Sequence, residues 1–184
     1  YIYERTNTFT PTRGDILVAS YVGRPSLVDT YNEEGFRLIQ RYNAIMQFEN
    51  NRGNIYEYAK NNKKLEWLAN EPTFTWNKEL AIKSGQPKGI HINDKRKETG
   101  ALYLRDWLIT PRGIDKDGNI LLNLNYIYDE ALLRELIKWN LKGNFDRVSA
   151  LIVGMFDSKE IFNMEVEEAK TNDKTGFFDR PLFN

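Results

Sequence analysis

Two acids far apart in the chain, Glu49 and Asp146, stand where chemistry could be done. Glu49 follows the run Ala44-Ile45-Met46-Gln47-Phe48 and opens Asn50-Asn51-Arg52-Gly53. The run is apolar but for Gln47 and does not alternate, the pattern of a strand covered on both faces inside a parallel sheet. A buried strand that ends at an acid puts the carboxylate at the carboxyl edge of the sheet, where open α/β sheets bind ligands. Asp146 falls in the first turn of a helix otherwise made of Phe145, Val148, Ala150, Leu151, Ile152 and Val153. Taken singly, each acid has a plain role. A glutamate after a strand commonly opens a solvated loop, and an acid at a helix start gains from the helix dipole. Two acids converging at one sheet edge would repel each other and lose hydration, and a divalent cation relieves both costs.

Composition narrows what else could act. The chain has 184 residues, enough for one domain with a sizeable core. It has no cysteine, which excludes disulfides, thiolate metal sites and cysteine nucleophiles. The one histidine, His91, rules out a multi-histidine site and reads as a strand residue. Metal chemistry would therefore run on oxygen ligands, which favours magnesium or manganese. Basic and acidic residues number 26 each, so contact with nucleic acid would come from local patches. Arg24, Arg52 and the run Lys95-Arg96-Lys97 are the residues expected to meet phosphates. No apolar run approaches the roughly 20 residues that span a bilayer. Nothing resembles a signal peptide, so the expected location is cytoplasmic, without a membrane partner. No Gly-x-x-x-x-Gly-Lys-Ser/Thr occurs, so an ATP-driven motor is not encoded here.

The elements that would position these residues follow from periodicity. Tyr1–Arg5 and Ile16–Tyr21 are β-rich around a Thr-, Pro- and Gly-containing loop, an antiparallel hairpin. Gly23 and Pro25 break the second strand. Leu27, Tyr31, Leu38, Ile39 and Tyr42 recur at near-helical spacing, and a short helix should follow Gly53. Leu65–Asn70 suits either a strand or a helical turn, Glu71–Lys88 is mostly loop with a short strand near Phe74–Trp76, and Gly89–Ile92 is a short strand. Asp94 should cap a helix reaching about Leu108. The Asp117-Gly118 step predicts a hairpin within Ile114–Ile127, and its tip could also lie along a duplex. Asp129 should cap a helix carrying Leu132, Leu133, Leu136 and Ile137, and Asn144 another that runs to Phe156. Residues 158–184 read as a polar C-terminal tail. A hairpin followed by buried strands crossed by helices is a mixed-sheet α/β order. One fold with that order is the RNase H-like fold: a mixed sheet flanked by helices, here with an extra β-hairpin.

Three separated motifs add a resemblance. They are Val18-Ala19-Ser20-Tyr21-Val22-Gly23-Arg24-Pro25; Arg41-Tyr42-Asn43-Ala44 with Phe48-Glu49-Asn50-Asn51-Arg52-Gly53; and Arg134-Glu135-Leu136 with Phe145-Asp146-Arg147-Val148-Ser149-Ala150-Leu151. In that order, over roughly Ile16 to Val153, they resemble the C-terminal nuclease domain of the large terminase subunit of tailed bacteriophages, of the crAss-like or a related kind. The resemblance implies an RNase H-like endonuclease that cuts concatemeric double-stranded DNA during genome packaging. It implies two magnesium or manganese ions, which activate a water and stabilise the leaving oxygen. Glu49 and Asp146 then take the places of the family's second and third acids, as metal ligands and catalytic residues. The implied partners are the portal, the small terminase subunit and an ATPase domain in the parent chain, and the implied place is the procapsid in the host cytoplasm.

Two departures accompany the resemblance. The family's first acid lies on a central strand that this chain lacks, so the chain reads as an N-terminally incomplete nuclease domain over 1–184. Ser149 stands where relatives often carry a further acid. The competing expectation is a catalytically incomplete RNase H-like module that docks DNA or assembles the motor. A resolvase- or integrase-like enzyme would instead predict junction- or end-specific cutting.

Overall fold

The computed structural model describes residues 1–5, 15–75 and 87–174, with 167–174 as helix backbone only. Strands β1 (Ile2–Glu4) and β2 (Ile16–Ala19) pair antiparallel, with a register shift between Ile2 and Tyr3. Helices α1 (Val28–Arg41) and α2 (Ile55–Asn61) follow, then a 3-10 turn at Leu65–Trp67. Helix α3 (Asp94–Leu108) leads into a second antiparallel hairpin, β3 (Pro111–Ile114) with β4 (Ile120–Leu122). A 3-10 turn at Asn123–Tyr126, α4 (Glu130–Lys138) and the long α5 (Asp146–Lys174) complete the described chain. The protein is thus mixed α/β, with five helices and two small antiparallel sheets among the described residues.

Successive residues of the first hairpin point into two different cores. Ile2, Val18 and Ala19 belong with Phe36 and Ile39 of α1, Phe48, Ala59 of α2 and Leu68. Tyr1 and Leu17 pack instead with Ile90, Leu104 of α3, Leu132 of α4 and Val148, Leu151, Ile152 and Phe156 of α5. Tyr1 and Ile2, and Leu17 and Val18, alternate as in a strand with both faces covered, while Ala19 stays on the side of Val18. This alternation places β1–β2 between a layer built on α1 and α2 and a layer built on α3, α4 and α5. The second core is anchored by α5, whose buried Val148, Leu151, Ile152, Met155 and Phe156 fall on one helical stripe. Each such side chain contributes about 1.5–3 kcal/mol when fully buried.

Several expectations change in detail. Asn93, one residue earlier than expected, caps α3 by accepting the Arg96 N–H at 2.9 Å. Asp129 caps α4 as expected, accepting the Leu132 N–H at 3.1 Å. The second hairpin closes on Asp115, whose carboxylate accepts the Asp117 and Asn119 N–H groups at 2.9 and 2.8 Å. Gly118 takes the left-handed φ of 85° that the turn requires. Leu65–Trp67 resolves as a 3-10 turn, and Thr73–Thr75 is a turn where a strand was expected; Trp76 lies outside the described residues. Helix α5 runs past Phe156 to Lys174, because Lys159, Glu160, Met164, Glu165 and their neighbours are good helix formers with no glycine or proline to stop them. The tail expected from 158 is therefore helical to 174, and 175–184 lie outside the described residues. No helix among the described residues is long and apolar enough to cross a membrane.

Candidate metal and nucleic-acid site

The segment that delivers Glu49 is extended but is not a regular strand. Met46 forms a parallel bridge with Leu68, and Glu49 a parallel bridge with Ile90. The Met46 N–H donates to the Trp67 carbonyl at 2.8 Å, and the Ile90 N–H to the Phe48 carbonyl at 2.8 Å. The segment thus changes neighbour within three residues, too soon for a ladder to develop. Nor is it covered on both faces: Phe48 is buried, but Ile45 is 55% exposed. Gly89 makes the close approach possible. It has a φ of +73°, and a Cβ there would lie 2.7 Å from the Phe48 ring.

The amides after Glu49 knit its loop to the neighbouring chain. Asn51 donates through Nδ2 to the Ile92 carbonyl at 3.1 Å and accepts the Ile92 N–H at Oδ1 at 3.0 Å. It thereby continues the pairing as a peptide group would. Asn50 Nδ2 donates to the Lys88 carbonyl at 3.2 Å. The Glu49 carboxylate itself is free of these bonds and stands 3.2 Å from Arg52 Nε.

Asp146 opens α5, but it is not what caps that helix. Glu135 of α4 accepts the Arg147 and Val148 N–H groups at Oε2, at 3.0 and 3.4 Å. Its other oxygen accepts Arg147 Nη1 at 3.0 Å. That bond raises the Arg147 pKa and keeps the guanidinium charged. Arg147 Nε lies 4.0 Å from Asp129, which also accepts the Tyr1 hydroxyl at 2.8 Å. Burial pushes Asp129 upward, but its hydrogen bonds from Leu132 and Tyr1 and the charge of Arg147 outweigh it and hold the carboxyl below its usual range. Burial, and then Asp129, push the Tyr1 hydroxyl well up. The Asp146 carboxylate stays outside this network, 72% exposed and 3.7 Å from Arg24.

Both acids therefore stand beside an arginine expected to meet DNA: Glu49 with Arg52, Asp146 with Arg24. Glu49's bridge partner Ile90 and Val148 of α5 belong to the same core, but among the described residues no hydrogen bond or ion pair joins Glu49 to Asp146. The basic run on α3 splits, because successive helical residues point about 100° apart. Lys95 is exposed. Arg96 is turned inward, paired with the buried Glu71 at 2.9 Å and donating to the His91 and Thr75 carbonyls, so its charge is committed to the protein. Lys97 donates to the Leu141 carbonyl at 2.9 Å. Ser149 is half-buried one turn along α5 from Asp146. His91 is exposed, and its carbonyl rather than its ring is engaged.

Among the described residues no group of three or more histidines and acids could hold a metal ion. Glu49 and Asp146 are each paired with an arginine, and a magnesium or manganese ion shared between them would keep waters and take phosphate oxygens. Sequence reasoning missed Glu135, Asp129 and Arg147 as a unit, and also the Glu71–Arg96 pair. Arg134-Glu135-Leu136 carried the one available signal for the first, as a motif without an assigned role.

Compared with protein-family models, with curated proteins and with solved structures, the chain returns no match in any of the three.

Proposed function

We propose that this chain is a divalent-metal-dependent endonuclease domain with an RNase H-like fold, acting on double-stranded DNA in viral genome packaging as the large terminase subunit does. The single observation that carries the reading is that each candidate acid has an expected phosphate-binding arginine as its partner. A divalent cation held there would supply an activated water and neutralise charge at the phosphodiester. Glu49 and Asp146 would hold it. Arg52 and Arg24 are 79% and 90% exposed, so their ion pairs are worth at most about 1 kcal/mol. They can leave the carboxylates for DNA phosphates as the cation arrives, so the same four side chains serve the metal and the strand in turn. Lys95 can add a phosphate contact from α3.

The decisive experiment is plasmid cleavage with manganese, by this chain and by the chain extended with the strand that bears the family's first acid. Cleavage that disappears in Glu49→Gln and in Asp146→Asn is the expected result. The absence of a three-acid cluster among the described residues favours a second reading, a DNA-docking or assembly module without chemistry. DNA binding with no cleavage in either form would establish that module in place of the nuclease.

A further inference from the structure

We infer that Glu135 is a positioning residue for Asp146, an inference that rests on the proposed metal role of that acid. The N-cap position of α5 is held by Phe145, whose carbonyl accepts the Ser149 N–H but whose side chain cannot accept the free N–H groups of the first turn. In α5 the Arg147 and Val148 N–H groups are already taken, both by Oε2 of Glu135. The cap comes from another helix, across 12 residues of sequence. Asp146, the first helical residue, takes no part in that cap, and its exposed carboxylate meets Arg24. The second oxygen of Glu135 holds Arg147 Nη1, and Arg147 lies against Asp129, the cap of α4. The starts of α4 and α5 are therefore fixed to each other, and the backbone that aims Asp146 is fixed with them. Glu135 touches neither a ligand nor Asp146. It sets where Asp146 stands and leaves that carboxylate free for a cation.

The test uses two conservative changes in the full chain and Mn2+ alone as the probe. Binding is read from paramagnetic broadening of the Asp146 amide signal, and hydrogen exchange is followed at Arg147 and Val148. Glu135→Asp keeps the charge but is one methylene short of the α5 amides. It should speed exchange at those two amides and weaken Mn2+ binding about tenfold, the size of loss typical of an outer-shell partner. Glu135→Gln keeps the length but only one acceptor, so it can still cap the α5 amides while losing the bond to Arg147 Nη1, and it should fall between wild type and Glu135→Asp in both readouts. A merely structural role would lower the melting temperature of both variants and leave Mn2+ affinity of the folded protein unchanged, which would overturn the inference. Equal affinities in wild type and Glu135→Asp would do the same while leaving the hydrolase reading intact. If wild type itself shows no Mn2+ broadening at Asp146, the hydrolase reading falls, and this inference falls with it.

Discussion

Glu33 of α1 is a half-buried acid held by two close bonds. Its carboxylate accepts Lys64 Nζ and the Tyr58 hydroxyl, each at 2.6 Å. The bond from Lys64, followed by that from Tyr58, brings its pKa from 4.5 down to about 2. The same contact raises Tyr58 to about 12. A carboxyl depressed by folding stabilises the fold above its unfolded pKa and loses that contribution as pH falls through the folded value. Wild type should therefore melt above Glu33→Gln at neutral pH, and the gap should close between pH 4.5 and about 2. Melting temperatures of the two proteins across that range decide it. A gap that widens on acidification would contradict the assignment.

Residue types in sequence revealed the chemistry of single positions well but their partners poorly. Asp129 as a cap was legible because a cap acts within three residues. Asn51 pairing with Ile92 was not, because the contact spans 41 positions and only tertiary packing sets it. Arg96 is the sharper case. A Lys-Arg-Lys run looks like a basic face, yet helical rotation turns its middle member inward onto Glu71.

Helices were the elements sequence could find, since amphipathic spacing is local. α1 and α3 fall within a residue or two of their expected bounds. The extended segments were harder. Ala44–Phe48 reads as a continuous apolar strand, but its pairing is shared out between Leu68 and Ile90 and never becomes a ladder. The packing of α3 on α5 depends on one small residue. A Cβ at Gly100 would lie 2.6 Å from the Phe156 ring and 2.7 Å from Ile152 Cγ2. Both neighbours are themselves buried and cannot yield freely. Gly100→Val should thus cost about 1–3 kcal/mol by overpacking, outweighing its gain in helix propensity. Urea denaturation measures this as a lower midpoint at unchanged slope. A variant as stable as wild type would show that the crossing tolerates more space than its geometry implies.

At the scale of the molecule, charge and layering matter most. Net charge is zero, so the DNA binding proposed above would draw on a few side chains and not on a general basic field. Each phosphate contact contributes about 0.9 to the slope of log K against log salt. Replacing Arg24 and Arg52 together with glutamine should therefore flatten that slope by about 2. Fluorescence anisotropy of a labelled duplex in a metal-free salt series reads this without any need for cleavage. An unchanged slope would place the phosphate contacts elsewhere. The mixed α/β class was legible from the order of elements. The layering was not, because it depends on which side of a three-residue strand each core claims.

Leu17 and Val18 are adjacent in β2 yet serve opposite cores. Sliding that strand by a single position would exchange their duties and spoil both interiors together. Each layer has its own interior, but the two share this hairpin as a common wall, so melting either one uncovers a face of the wall on which the other rests. Heat should therefore unfold the chain in one cooperative transition, with calorimetric and van't Hoff enthalpies in agreement.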